Sequence, residues 1–318
     1  MSDYESILLP LNFDAMNAHK RDERFKEYRA WPKWYYHVVF DSLDKGQLFN
    51  SDSEYADGMN SVALGQYIHS ITILAFVLMV NHCHFLVLGN GEAIVDFFLF
   101  MKRRINVRLK ADGFPALPYE YCFKLVKVED EKQLKDTIVY IARNPLKACP
   151  DVISGGYLWG TACLIFSKVR LLFENVQLRE LSYRTSVRMF RTKIRLPEDY
   201  LFNQKMGFIL PESYVLNEKV EQVLQNSWRF TYDIVKNIDA YIKIAEGVGE
   251  MIVLSEGELN DIIRQNLKEK FNASSVSALS LDDRCRLAVI LKKKYHVDTK
   301  RIARKLQMDV PSLNELFE

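Results

Sequence analysis

Apolar and polar positions change their period several times along this chain, and each change marks an element. Residues 34–40 (WYYHVVF) are dense in aromatic and β-branched side chains and predict a strand. A helix is expected over 55–69, followed by two strand-like runs, 72–79 and 82–88, divided by Val80-Asn81. Over 92–110 the residues Phe97, Phe98, Met101, Ile105 and Leu109 recur at helical spacing. Gly113 and two prolines within 113–118 mark a turn, and 122–128 reads as another strand. A helix over 129–142 is expected to stop at Asn144-Pro145, because a residue before proline is pushed out of the helical region. The order β-α-β-β-α-β-α predicts an α+β class. It suits a split βαβ (ferredoxin-like) antiparallel sheet with helices on one face, ending near Ser167.

Beyond that point the pattern turns mainly helical. Residues 168–205 carry nine Lys/Arg against four Asp/Glu, a turn follows at 207–211, and helices are expected through 217–246. Three short helical segments, 282–294, 299–306 and 311–317, close the chain. They resemble a helix-turn-helix, with Thr299 as the expected cap of the second helix. Residues 282–307 hold nine Lys/Arg against three Asp/Glu, but the third helix is acidic and lacks arginine. A small packing bundle whose basic second helix touches only phosphates is the competing reading. The expected division is an N-terminal arm (1–30), a catalytic domain (31–167), a basic helical region (168–250) and a small helical domain (251–318). No internal repeat, low-complexity tract or heptad run is present.

Composition narrows the class. A chain of 318 residues, 48% of them apolar, has the length for two or three domains and the apolar content for a buried core. A formal net charge of +2 argues neither for nor against a nucleic-acid partner, so the clustering of basic residues matters more than their sum. Five widely spaced cysteines suggest neither a disulfide framework nor a cysteine zinc site, and fit a reducing cytoplasm. Residues 1–20 lack the features of a signal peptide. The most apolar run, 71–80, falls far short of the ~20 residues that span a bilayer. A cytoplasmic protein without a membrane partner is expected.

Two short segments carry candidate chemistry. In Asn81-His82-Cys83-His84-Phe85-Leu86-Val87, strand alternation turns His82 and His84 to one side and Cys83 to the other. Two imidazoles so placed can hold one metal ion, although an isolated His-x-His is more often a pair of satisfied histidines. In Tyr140-Ile141-Ala142-Arg143-Asn144-Pro145, the phenol and the amide are four residues apart and share a helix face. They suit a nucleophile and an additional metal ligand. By itself the segment also reads as an amphipathic helix with a half-buried tyrosine.

Together and in this order, about sixty residues apart, the two segments resemble the HUH superfamily of single-tyrosine transposases, in particular the REP-associated tyrosine transposases. NHCHFLV stands for the family's Asn-His-hydrophobic-His-hydrophobic strand, and YIARNP for its Tyr-Ile-x-x-Asn-Pro helix. The likeness extends to Tyr36-His37-Val38, Phe76-Val77-Leu78-Met79, Val126 with Glu129-Asp130, and Tyr157-Leu158-Trp159, and covers residues 31–167. Cys83 replaces an aliphatic residue, which a small apolar thiol can do. Gly160-Thr161 replaces a frequent pair of serines.

The resemblance implies a DNA nickase and strand transferase. Tyr140 would attack a phosphodiester of single-stranded DNA, giving a 5′-phosphotyrosine and a free 3′-hydroxyl that can later reverse the step without ATP. A divalent ion on His82, His84 and Asn144 would polarise the phosphate. Mg²⁺ or Mn²⁺ is expected from the resemblance and the substrate, although imidazole ligands alone would also admit Zn²⁺. Free phenols ionise near pH ~10, so the nucleophile needs activation by the metal or a base that the sequence does not identify. Lys102, Arg103, Arg104, Lys124, Lys127 and Arg143 are candidate DNA contacts, Lys124 and Lys127 on a strand expected to face the site region, with a merely solvated face as the alternative for the first five. The expected partner is single-stranded or hairpin DNA, with a second copy of the chain as a candidate homodimer partner. Competing functions are a domesticated hairpin-binding protein without transposition, a transcription regulator acting through the C-terminal helices, and, more distantly, a metal hydrolase of small phosphoesters.

Overall fold

The computed structural model describes residues 25–41, 47–117, 122–148, 154–167 and 175–317. Most of the expected N-terminal arm, the end of the 113–118 turn and residues 168–174 of the basic stretch lie outside these. The chain divides into two compact units, Met1–Lys236 and Asn237–Glu318.

The first unit is built on four strands: β1 (Trp34–Asp41), β2 (Thr72–Leu78), β3 (His82–Gly89) and β4 (Cys122–Lys127). They form an antiparallel sheet in the order β2-β3-β1-β4. Helix α1 (Asp52–His69) links β1 to β2, α2 (Gly91–Ala111) links β3 to β4, and α3 (Glu131–Ala148) follows β4. The α+β class, the antiparallel sheet and the helical C-terminal region match the expectation.

Alternation along the strands sorts two faces. Tyr36, Val38, Phe40, Cys83, Phe85 and Val87 point to one side, where they join Met59 and Val62 of α1 and Phe97, Phe98 and Met101 of α2 in the main core. Ring contacts Phe40–Phe98 and Phe85–Phe97, at 5.0 and 5.3 Å, lock α2 onto this face. His37, Val39, His82, His84 and Leu86 point to the other side. The one-face arrangement expected from the sequence therefore holds for α1 and α2, whereas α3 covers the second face. Strands buried on both sides read as nearly continuous apolar runs, and such runs do not show which face a later helix takes.

Helix α3 also corrects its expected end. It runs through Pro145 to Ala148 instead of stopping before Asn144. Proline removes one helical N–H and crowds the carbonyl of Ile141, at a cost of ~3 kcal/mol in a helix interior. Packing of this amphipathic helix against β2 and β3 outweighs that local preference.

The exposed edge of β2 is closed by the segment after α3. Leu78 N donates to Trp159 O at 2.8 Å, Thr161 N to Phe76 O at 3.0 Å, and Phe76 N to Thr161 Oγ1 at 3.0 Å. A Cβ on Gly160 would meet Phe76 O at 2.7 Å, so glycine is what lets the two backbones approach. The Gly160-Thr161 pair thus seals an edge that would otherwise expose unpaired backbone groups.

The region expected to be mainly helical also holds a small antiparallel sheet of β5 (Asn175–Gln177), β6 (Leu201–Asn203) and β7 (Phe208–Ile209). Strands of two or three residues are too short for a period-two pattern to register. Helix α4 (Tyr183–Phe190) lies between β5 and β6. Buried Asn60 of α1 ties the β6–β7 hairpin down, donating to Gly207 O and accepting from Ile209 N, each at 2.9 Å. Helices α5 (Asn217–Leu224) and α6 (Ser227–Lys236) complete the unit.

The second unit consists of α7 (Ile238–Val248), α8 (Glu256–Lys270), α9 (Leu281–Lys293), α10 (Thr299–Leu306) and α11 (Val310–Phe317). The last three are the expected short helices. Asp298, not Thr299, caps α10, accepting from the backbone N–H of Lys300 and Arg301. The basic face of α10 is engaged internally: Arg301, Arg304 and Lys305 all pair with Glu256 at 2.8–3.1 Å. Their cations, first among them Lys305 through its hydrogen bond, hold the Glu256 carboxyl below its ordinary range. Among the described residues no helix is long and apolar enough to cross a membrane.

Candidate active site

The second face of the sheet gathers four polar aromatic or amide groups between β1, β3 and α3. His82 and His84 stand two residues apart on β3, with ring centroids 5.0 Å apart and one ring nitrogen of each within 4.8 Å of the other. Tyr140 comes down from α3 with its ring 5.4 Å from that of His84, nearly perpendicular to it. Asn144, one helical turn on, brings Oδ1 to 3.5 Å from His82 Nε2. The structure therefore brings together all four residues singled out from the two motifs.

Each is oriented by a neighbour. Asn144 Nδ2 donates to the carbonyl of Tyr140 at 3.0 Å, which folds the amide back along its own helix and leaves Oδ1 directed at His82. His82 Nδ1 lies 2.8 Å from Asn81 Oδ1, so Nε2 is the nitrogen turned toward Asn144. His84 is fully buried, and its Nδ1 is 3.1 Å from Nε2 of His37.

His37 is the member that sequence reasoning missed. It pairs across β1 and β3 with Leu86, which makes it a diagonal neighbour of His84 on the same face. Its ring lies 5.2 Å from that of His84 and 5.7 Å from that of Tyr140. The signal for it was its parity in β1: a histidine among Val38, Val39 and Phe40, 2% exposed, needs a polar partner when buried.

The donor set fits a divalent cation. Two imidazoles and an amide oxygen converge, and His37 occupies the one nitrogen of His84 that coordination does not need. The site is deeply set, with Tyr140 and Asn144 each only 1% exposed.

The basic residues expected at the site separate. Lys124 pairs with Val39, which pairs with His84, so Lys124 shares the histidine face two strands away. Lys127, three residues further on, belongs to the opposite face, where its ammonium lies 3.0 Å from Glu129 and 5.8 Å from the Trp34 ring. Lys102, Arg103 and Arg104 ride on α2, on the far side of the sheet. Arg104 is an internal tie: it pairs with Asp57 at 3.2 Å and donates to Ser61 Oγ and Phe190 O. Burial first, against the attraction of Asp57, sets its guanidinium below the usual pKa. Arg143 donates to Ile234 O at 2.8 Å and so fastens α3 to α6. Lys135 does the same through Asp233 at 2.7 Å. Arg104 and Arg143 thus hold helices together, because a guanidinium withdrawn from water needs carbonyl or carboxylate partners.

No known family profile matches the chain, and no curated protein sequence matches it. A solved structure described as the REP-associated tyrosine transposase bound to a REP hairpin is similar over 44% of this chain and 84% of its own, with 17% identity and a TM-score of 0.37. That likeness is distant.

Proposed function

We propose that the protein is a metal-dependent single-tyrosine DNA nickase and strand transferase of the transposase type. The observation that carries the reading is the meeting of Tyr140, His84, His82 and Asn144 Oδ1 on one sheet face, with ring and atom separations of 3.5–5.4 Å. The resemblance of NHCHFLV and YIARNP to the HUH motifs supports the same chemistry.

His82, His84 and Asn144 would hold the divalent ion, Mg²⁺ or Mn²⁺ for a phosphate substrate. When bound, such an ion polarises a phosphoryl oxygen and offsets developing negative charge. The phenolic oxygen of Tyr140 forms a bond to phosphorus as the bond from phosphorus to the 3′-oxygen breaks. The phenol loses its proton and the departing 3′-oxygen gains one. The product is a 5′-phosphotyrosine, whose ester bond keeps the energy needed to rejoin a 3′-hydroxyl. Single-stranded or hairpin DNA is the substrate this geometry suits, because a single tyrosine on a sheet reaches a flexible strand more readily than a closed duplex. With Tyr140 1% exposed, strand entry requires a local opening that uncovers the phenol.

The test is incubation with labelled single-stranded hairpin DNA and Mg²⁺ or Mn²⁺, followed by denaturing electrophoresis. A protein–DNA adduct is expected with the native chain and absent from Tyr140→Phe and His82→Ala. An adduct that persists in Tyr140→Phe assigns the nucleophile elsewhere. Tight hairpin binding without any adduct replaces the enzyme with a hairpin-binding protein.

A further inference from the structure

The segment from β5 to β6 carries a charge pattern that the tyrosine site does not use. Arg179, Arg184, Arg188, Arg191, Lys193 and Arg195 are all exposed. Among the described residues none of them pairs with a carboxylate. Of the acids in the segment, Glu180 accepts from Gln177 N at 2.8 Å, and Glu198 and Asp199 are exposed at its end, three against six cations. Like charges held this close repel one another, and a face of this kind gains from a polyanion. The segment is firmly seated, since Phe190 at the end of α4 is buried and its carbonyl accepts from Arg104 at 3.0 Å.

An aromatic surface lies within the charge. Tyr183, at the start of α4, is 48% exposed, and the Arg195 guanidinium carbon sits 4.9 Å from its ring centroid. Beside them opens a cavity of about 170 Å³ whose lining includes Tyr183, Val187, Thr192, Ile194, Arg195 and Glu198. Cavities for drug-sized ligands run to ~300 Å³ and above, so this one suits a single ring system. Its walls offer an aromatic face, a guanidinium plane and a hydroxyl edge, together with Glu198, whose carboxylate can accept from a base's exocyclic amine. These are the groups that stack on, and hydrogen-bond to, an unpaired base. Arg184 and Arg188 are one turn apart on α4 and present two cations along one line.

We propose that this β5-to-β6 segment is a second nucleic-acid site, one that holds single-stranded DNA with a base in the cavity against Tyr183 and its phosphates along Arg184, Arg188 and Arg195. A closed duplex has no free base face to offer Tyr183, so the cavity selects for single strands. The inference rests on the strand-transferase reading only for the strand being DNA. It gives that strand a hold separate from the tyrosine.

The experiment is fluorescence anisotropy of a labelled single-stranded oligodeoxynucleotide over a salt series, with its duplex and its RNA counterpart as competitors. The full chain is compared with the triple variant Arg184→Gln/Arg188→Gln/Arg195→Gln and with Tyr183→Ala, all at exposed positions. The triple variant should bind at least about tenfold more weakly, with a salt slope shallower by ~2, from ~0.7 per lost phosphate contact on single strands. Tyr183→Ala should lose about fivefold or more, as for removal of one base-stacking ring. Unchanged affinity and slope in both variants overturn the proposal, as do failure of the native chain to bind and a duplex or RNA that binds better than the single strand. An adduct formed by a native chain whose variants bind normally sinks this site and leaves the Tyr140 chemistry standing. Weakened binding in the variants of a chain that forms no adduct supports this site and removes the strand-transferase reading.

Discussion

His37 Nε2 lies 3.1 Å from His84 Nδ1, and this contact between β1 and β3 decides which nitrogen of His84 is available as a ligand. If His84 is to coordinate through Nε2, its Nδ1 must carry the proton and donate it to His37, whose own proton then sits on Nδ1. His37→Phe removes the acceptor and should weaken Mn²⁺ binding by about 10- to 100-fold, the usual effect of losing a ligand's hydrogen-bond partner. His37→Gln keeps an acceptor oxygen and should recover part of it. Calorimetric Mn²⁺ titration measures the affinity, and nitrogen NMR of the metal-free protein reports the His84 tautomer. Equal affinity in native and His37→Phe proteins would falsify this role.

Pro145 is a local cost next to Asn144, the proposed third metal ligand. Pro145→Ala restores an N–H for the Ile141 carbonyl and relieves the proline clash, so the fold should gain about 1–3 kcal/mol in urea unfolding. Asn144 would also be released from the conformational limits placed on a residue before proline, and adduct formation should slow. A stabilised variant with an unchanged adduct rate would show that the proline has no part in placing Asn144.

Arg104 should behave as a fold residue. Arg104→Gln removes the cation paired with Asp57, leaves Arg108 as the remaining positive charge acting on that carboxylate, and should destabilise by about 1–3 kcal/mol, the usual loss of a charged hydrogen bond. DNA affinity per folded molecule should stay the same. A loss of affinity without a fall in melting temperature would return Arg104 to the nucleic-acid surface.

Stability should fall on the alkaline side. Burial, the leading cause in each case, pushes the Cys163 thiol up to about 11 and raises Cys83, Tyr36, Tyr200 and Tyr214 above their ordinary values. Each folded-state pKa is raised. The stability these groups contribute is therefore full below the unfolded values of 9.0 for thiols and 10.0 for phenols, and it is lost as pH rises beyond them. For Cys163 the window runs from about 9 to about 11. The Tyr214 hydroxyl is buried with no hydrogen-bond partner among the described residues. Tyr214→Phe should therefore be neutral or stabilising at pH 7 and should flatten the alkaline decline, as should Cys163→Ala. Urea midpoints measured from pH 7 to 11 test this, and a flat native profile would count against it.

Local periodicity determined much of this protein. A strand period of two is enough to put His82 and His84 on one face with Cys83 in the core, and a helix period of 3.6 is enough to align Tyr140 with Asn144. The same period of two puts Lys127 on the opposite face from Lys124, against the expectation that both face the site. The order of strands and helices up to residue 148 was legible because each element there is long enough to show its period. Only the tertiary structure could bring His37 beside His84, because strand order and register decide which residues of two strands become diagonal neighbours. It alone assigned α3 to the second face, carried that helix through Pro145, and committed Arg104 and Arg143 to carbonyls and carboxylates of distant helices. Those outcomes depend on which surfaces meet, and the energy of meeting is summed over many residues that are far apart in the chain. No single segment contains it.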